Sequence, residues 1–330
     1  MLKKQIFLIV LVCLMFLTIG CSRKTKKVED FPSLVNKMES YKVTGKLYST
    51  FPTGTKESLI TVYFKQPEKY RVEIDNSTNG DKQIILKNGD DVDIILPGIN
   101  KSFKLKSGWP INSSYCYLLQ SIAKDYVNCE NKLIEESDDQ TKVELQVKLF
   151  DNASVTKEIV IFNNDTGLPS EVQQYDDTNN LLTRFVYLNI EENPKLDDAL
   201  FKKNETQTSS VEIFNSVEYQ REKTYPTYYP LNTTLKEEKT FKTGDVLTYM
   251  MTYTGDLNYT IIEQEVMKEE KAVTSFLEGD IYLLADSVSV INKNCLTFFQ
   301  GGMEYILASN EVNMYELIKM AYSLTIDYEK

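Results

Sequence analysis

Lys142 to Phe150 reads K-V-E-L-Q-V-K-L-F. Alternation puts Val143, Leu145, Val147 and Leu149 on one side and Lys142, Glu144, Gln146 and Lys148 on the other. Strict period two is the pattern of a half-buried strand in an antiparallel sheet, one face on the core and one in water. Lys69 to Asp75 repeats it, with Tyr70, Val72 and Ile74 sharing a face. Shorter runs cover about 43–50, 58–65, 82–87, 91–96, 101–106, 131–136, 156–162, 170–176 and 181–190. Turn signals separate them: Asn79-Gly80, Asn88-Gly89-Asp90, Pro97-Gly98, Asp151-Asn152 and Asp165-Thr166-Gly167.

A sheet of this size needs cover for its apolar face. Two amphipathic segments are available. Asp30 is placed to cap a helix over about 32–40, with Pro32 in its first turn and Phe31, Leu34, Val35, Met38 and Tyr41 at helical spacing. After Trp109-Pro110, Ser113 or Ser114 is placed to cap a second helix over 113–127. Tyr115, Leu118, Leu119, Ile122 and Tyr126 form its stripe. The expectation is a curved antiparallel sheet with both helices across its concave face.

The polar stretch Asn193 to Ser210 contains the linker, 201–210, which separates a first domain, 31–200, from a second, 211–330. The second block is again β-rich, over about 211–219, 245–254, 258–267, 272–277, 281–291, 294–299 and 303–308. Asn313-x-x-Glu316 has the form of a capping box before a last helix whose buried stripe is Met314, Leu317, Ile318 and Ala321.

The N-terminus carries a different signal. Lys3 and Lys4 precede an uncharged run from Ile6 to Ile19, which closes on Gly20-Cys21 and turns polar at Ser22. The run has the length of a secretory h-region and is short for a membrane span of roughly 20 residues. Leu17-Thr18-Ile19-Gly20-Cys21 resembles a lipobox with Thr18 where Leu is usual. Cleavage after residue 20 would leave Cys21 to take diacylglycerol and further fatty acid such as palmitate, with 21–30 as tether. The alternative is an uncleaved signal anchor. Both place the rest of the chain outside the cytoplasm, on the membrane.

Without Lys3 and Lys4 the chain has 35 basic against 48 acidic residues, a net charge of −13. That excludes nucleic acid as a partner, since phosphate binding needs a concentrated basic surface. The basic cluster Arg23 to Lys27 adjoins the anchor and suits anionic head groups. There is no histidine, which removes Ser-His-Asp and Cys-His catalysis and imidazole metal sites. Cys116, Cys129 and Cys295 are neither a disulfide framework nor a metal motif. Three free thiols, or a Cys116–Cys129 bridge, are both open.

Ser121-x-x-Lys124, Ser77-x-Asn79 and Lys242-Thr-Gly244 match the three penicillin-binding motifs singly. Their order is wrong, and Ser121 falls in the middle of a helix. Asp75-x-Ser77-x-Asn79-Gly80 begins like a calcium loop but has Leu86 at the twelfth position. The pairs Glu135-Glu136, Asp138-Asp139, Asp176-Asp177 and Asp197-Asp198 fall at turns and strand ends, where solvated carboxylates are ordinary.

The lipoprotein signal, the N-terminal helix and the run K-Q-P-E-K-Y-R-V-E, Lys65 to Glu73, resemble the LolA/LolB-like lipoprotein-carrier superfamily. The second block, with Met303 to Leu324, resembles the domain that accompanies this fold in sporulation-associated lipoproteins, and the GerS-like germination lipoproteins are the group nearest in pattern. The resemblance implies an α+β, mainly-β fold: an incomplete antiparallel β-barrel with helices on its concave face, then a smaller β-rich domain ending in a helix. It implies no enzymatic activity and no cofactor. Partners would be the membrane through the N-terminal lipid, a cortex-modifying amidase or another extracytoplasmic protein, and in the carrier alternative a lipid. In carriers a helix of this kind lids an apolar cavity, which here would be lined by Trp109, Tyr115, Leu118, Leu119, Ile122 and Tyr126. The same stripe is equally what a packed core requires.

Overall fold

The computed structural model describes residues 28–51, 54–75, 82–110, 114–147, 155–203, 223–244, 246–267, 273–284 and 287–324. The signal segment with Cys21, most of the tether and linker, the Asn79-Gly80 and Asp151-Asn152 turns, the calcium-like loop and the strand expected at 211–219 lie outside these residues. Among the described residues no helix is long and apolar enough to cross a membrane.

Helix α1 (Phe31–Lys37) leads into β1 (Ser40–Phe51), β2 (Gly54–Lys65), β3 (Lys69–Asp75), β4 (Lys82–Asn88), β5 (Asp91–Leu96) and β6 (Lys101–Lys106). Helix α2 (Leu119–Asn128) follows, then β7 (Leu133–Glu136), β8 (Gln140–Gln146), β9 (Lys157–Asn163), β10 (Leu168–Tyr175) and β11 (Leu181–Glu192). The remainder forms β12 (Thr233–Thr243), β13 (Val246–Gly255), β14 (Tyr259–Glu265), β15 (Val273–Glu278), β16 (Asp280–Leu284), β17 (Ser287–Asn292), β18 (Cys295–Gln300), β19 (Met303–Ala308) and helix α3 (Met314–Leu324).

Among the described residues the strands make two sheets. The first has twelve strands in the order β15-β6-β5-β4-β3-β2-β1-β11-β10-β9-β8-β7, and the second has seven, β12-β13-β14-β19-β18-β17-β16. Period-two alternation acts as the sequence requires: Val143 and Leu145 are wholly buried while Lys142 and Glu144 are half-exposed. Each buried Val or Leu of this kind contributes roughly 1.5–3 kcal/mol. The core of the first sheet gathers Val43, Val62, Val72, Ile94, Val160 and Val172 from six strands.

The expected incomplete barrel is not what forms. The order of the large sheet is linear, its end strands β15 and β7 do not pair with each other, and neither sheet curls or closes. It is also not wholly antiparallel, because β15 from the C-terminal block adds to β6 in parallel register, Val273 opposite Lys101. The reason lies in what covers the apolar face. Helices α1 and α2 cover one part, with Phe31 edge-on to Phe162 at 5.0 Å. Ile281, Val288, Val290 and Phe299 of the second sheet cover another, with Phe299 stacked on Phe103 at 4.4 Å. A face buried by a second layer has no need to close on itself.

Gln83 fixes this seam. Its Nε2 donates to the Phe299 carbonyl at 2.8 Å, and its Oε1 accepts from the Val288 amide at 2.7 Å. Gly279 joins β15 to β16, and so one sheet to the other; a Cβ there would meet the Ile291 carbonyl oxygen at 2.3 Å. The far face of the second sheet is covered by α3, through Leu317, Ile318 and Ala321 against Leu296, Phe298 and Leu307. Asn313 does cap this helix, its Oδ1 accepting from the Glu316 amide at 2.9 Å. The Glu316 carboxylate does not return the bond; it accepts from Tyr228 Oη at 2.6 Å.

Candidate functional site

Each of the six residues expected to line an apolar cavity is buried: Trp109, Tyr115, Leu118, Leu119, Ile122 and Tyr126 all belong to the main core. Trp109 lies edge-on to Tyr70 at 5.6 Å and to Tyr115 at 6.2 Å. The helix is shorter than its spacing implies. It begins after Leu118, so Tyr115 stands ahead of it, in a turn whose amide donates to Ser121 Oγ at 2.7 Å. Tyr115 Oη instead donates to the Ile281 carbonyl at 3.2 Å, across the seam. A separate small cleft of about 30 Å³ lies at the seam beside Gln83, Ile99, Val266 and Gly301, with space for about two waters.

Beneath α2 lies a feature that composition concealed. Asp125 of the helix and Glu158 of β9 are both buried in the apolar interior. Gln174 Nε2 donates to Glu158 Oε2 at 2.8 Å and to the Ser114 carbonyl at 3.1 Å. Burial, with the Asp125 charge adding to it, pushes the Glu158 carboxyl up to about 8. Burial likewise raises Asp125 to about 6, against a hydrogen bond from Ser114 and the Lys124 charge. Glu158 is thus held neutral around neutrality, while Asp125, with Lys124 Nζ at 3.8 Å, gives up its proton first. Both carboxyls face the core beneath α2 and neither lines a cleft at the surface.

Both were visible in spacing. Asp125 is seven residues after Leu118 and three after Ile122, on the inward side of the helix, and Glu158 alternates with Val160 and Phe162. Glu263 repeats the case in the second sheet, alternating with Ile261; burial raises it to about 7 although the Thr224 amide donates to it at 3.0 Å.

Cys116, Cys129 and Cys295 are free thiols, and the Cys116–Cys129 bridge is not formed. Burial and the Glu158 charge push the Cys116 thiol well up, which keeps it protonated and inert. Ser121 is buried within α2, and Lys242-Thr243-Gly244 falls at the β12–β13 hairpin, so these two penicillin-binding fragments do not open on a common cleft; Ser77 and Asn79 lie outside the described residues. Among the described residues no three His, Cys, Asp or Glu side chains are placed to hold a metal. The acidic pairs serve turns and ties. Asp176 Oδ1 accepts from the Thr178 and Asn180 amides, Asp197 caps a short 3-10 turn, and Asp198 takes Lys65 and Lys69 at 2.8 and 3.0 Å.

The Lys65–Glu73 motif is structural. Tyr70 enters the core, while Arg71 Nη1 donates to the Leu200 carbonyl at 3.1 Å and Arg71 Nε to Glu73 at 2.6 Å. The motif strand therefore holds residues 197–201 against the outer face of the sheet. Large apolar side chains do reach water, some on end strands (Leu133 and Ile134 on β7, Phe276 on β15, Leu235 and Phe241 on β12) and others elsewhere, such as Leu59 on β2, Leu188 on β11 and Leu231 ahead of β12.

Residues 2–201 match the family described as sporulation protein YdcC-like. The sporulation protein YdcC of Bacillus subtilis (strain 168) is 26% identical over 313 residues, covering 92% of each chain. Among solved structures, the Pseudomonas aeruginosa MucA/MucB complex is similar over 90% of this chain and 97% of that chain, at 14% identity and a TM-score of 0.31. A LolA superfamily protein, NE2245 from Nitrosomonas europaea, is similar over 54% and 96%, at 15% identity and a TM-score of 0.32. The CwlD amidase from Clostridioides difficile in complex with the GerS lipoprotein is similar over 51% and 92%, at 16% identity and a TM-score of 0.29.

Proposed function

Since the chain belongs to the YdcC-like family of sporulation proteins, we propose that it is a lipid-tethered, extracytoplasmic binding protein that assists a partner enzyme during sporulation and does no chemistry itself. The observation that carries this reading is the placement of its reactive groups. Asp125, Glu158 and Cys116 are sealed inside, whereas several exposed apolar side chains, Leu133, Ile134 and Phe276 among them, stand on strands at sheet ends. A surface of that kind offers recognition, not catalysis. Cys21 is the tether, through diacylglycerol; two or more acyl chains give the stable anchoring that one does not. A net charge of −13 steers basic partners, and confinement to one membrane raises their effective concentration.

By the resemblance of its sequence to germination lipoproteins, the first partner to test is a cortex-modifying amidase. Affinity purification from sporulating cells should recover the amidase with the wild-type chain in the membrane fraction. Cys21→Ala should move the protein out of that fraction while still binding the amidase, with binding that weakens as salt rises. A wild-type preparation without amidase contradicts the partner, and a Cys21→Ala protein still membrane-bound contradicts the tether.

A further inference from the structure

We infer that the free edge of β7 is a docking strand for an extended partner segment reading Lys/Arg-Lys/Arg-apolar-apolar, added antiparallel to Leu133-Ile134-Glu135-Glu136. The inference rests on the partner-binding reading above and names the site and chemistry of the contact.

Among the described residues β7 ends the large sheet and pairs only with β8. The Ser137 amide donates to the Gln140 carbonyl at 2.8 Å, which makes Ser137 and Gln140 a hydrogen-bonded pair. In an antiparallel ladder such pairs alternate, so Leu133 and Glu135 turn their backbone groups toward β8. Ile134 and Glu136 therefore present N–H and C=O at the free edge.

The side chains give this edge a polarity. All four residues are exposed, Leu133 at 63% and Ile134 at 44%. Registered against β8, Leu133 and Glu135 share one face with Glu144 and Lys142, while Ile134 and Glu136 share the other with Val143 and Thr141. Each face thus carries one aliphatic followed by one acid. Nearby cations are occupied: Lys142 pairs with Glu135 at 3.2 Å, and Lys132 turns back to the Cys129 carbonyl and the Tyr126 ring. Asp138 and Asp139 continue the negative end into the turn.

Cross-strand neighbours stabilise a pair when opposite charges or apolar groups face each other, and like charges face at a cost. An antiparallel guest meets Glu136, Glu135, Ile134 and Leu133 in that order, which selects two cations followed by two apolar residues. A second copy of β7 would bring its own acids to the same edge and is disfavoured. An anionic membrane surface is disfavoured for the same reason. The β12 edge, by contrast, carries Lys236, Lys239 and Lys242, the usual protection of an open edge.

The test uses the mature chain in mild detergent and two fluorescent peptides of one composition, Thr-Lys-Lys-Val-Val-Thr and Thr-Lys-Val-Lys-Val-Thr, titrated by anisotropy. The first should bind saturably and at least fivefold more tightly than the second. Ile134→Pro removes an outward amide that β8 does not use and should weaken binding at least tenfold. Glu135→Lys/Glu136→Lys, on exposed side chains, should do the same in a protein that still unfolds cooperatively, its melting temperature lowered slightly because the cross-strand Glu135–Lys142 pair becomes a pair of like charges. No saturable binding, equal affinity for the two peptides, or a folded double variant that binds as the wild type does overturns the inference. Because the peptides stand apart from any amidase, these results are independent of whether the amidase is the partner.

Discussion

The Glu158 carboxyl shows how one residue links sequence, packing and a measurable property. Its folded pKa is raised above the ordinary carboxylate value, so the native state holds a proton that the unfolded chain releases. Stability from this group is complete below the unfolded value and is lost as pH rises through the folded one, about 8. Glu158→Gln keeps an oxygen for Gln174 and removes the ionisation. It should raise stability at pH 8 by on the order of 2 kcal/mol, with the difference vanishing toward pH 5. Urea unfolding at the two pH values measures it; a variant destabilised equally at both would show that the carboxyl works by packing alone. Alternation with Val160 and Phe162 marked this acid as inward-facing, so its position was legible. Its partners were not, because Asp125, Ser114 and Gln174 come from three distant segments.

At the scale of elements, the seam depends on Gln83. Its amide satisfies the Val288 amide and shares the Phe299 carbonyl with Ser287 Oγ, so Gln83→Leu strips the buried Val288 amide of its partner and leaves the carbonyl to Ser287. That should cost roughly 1–3 kcal/mol. Because the loss falls between the two sheets, the urea transition should broaden or split, with Trp109 fluorescence reporting the first sheet. A single sharp transition at the wild-type midpoint would contradict the role given to Gln83. Sequence periodicity located most strands of both blocks, since a period of two is a local property. It placed α2 four to six residues too early, because Tyr115 continues the helical spacing while its amide is taken by Ser121. It also merged β16 and β17 into one run and passed over β12, whose Lys and Glu residues break any apolar face.

The whole molecule is where local reading stopped. Nothing in residues 273–278 signals that they leave their own block to extend the first sheet beside β6. An open sheet covered by helices and a second sheet differs from a barrel only in long-range pairing, which alternation does not encode. The proposed function belongs to this scale as well: interior acids, inert thiols and end strands with exposed apolar groups are what the binding reading rests on, with Cys21 as its proposed tether. The most direct test of that claim is the cortex peptidoglycan composition of spores from a strain lacking this gene, set beside a strain lacking the amidase. The two profiles should coincide, with vegetative growth intact and the wild-type gene restoring the normal profile. A normal cortex in spores of the strain lacking this gene would contradict the account.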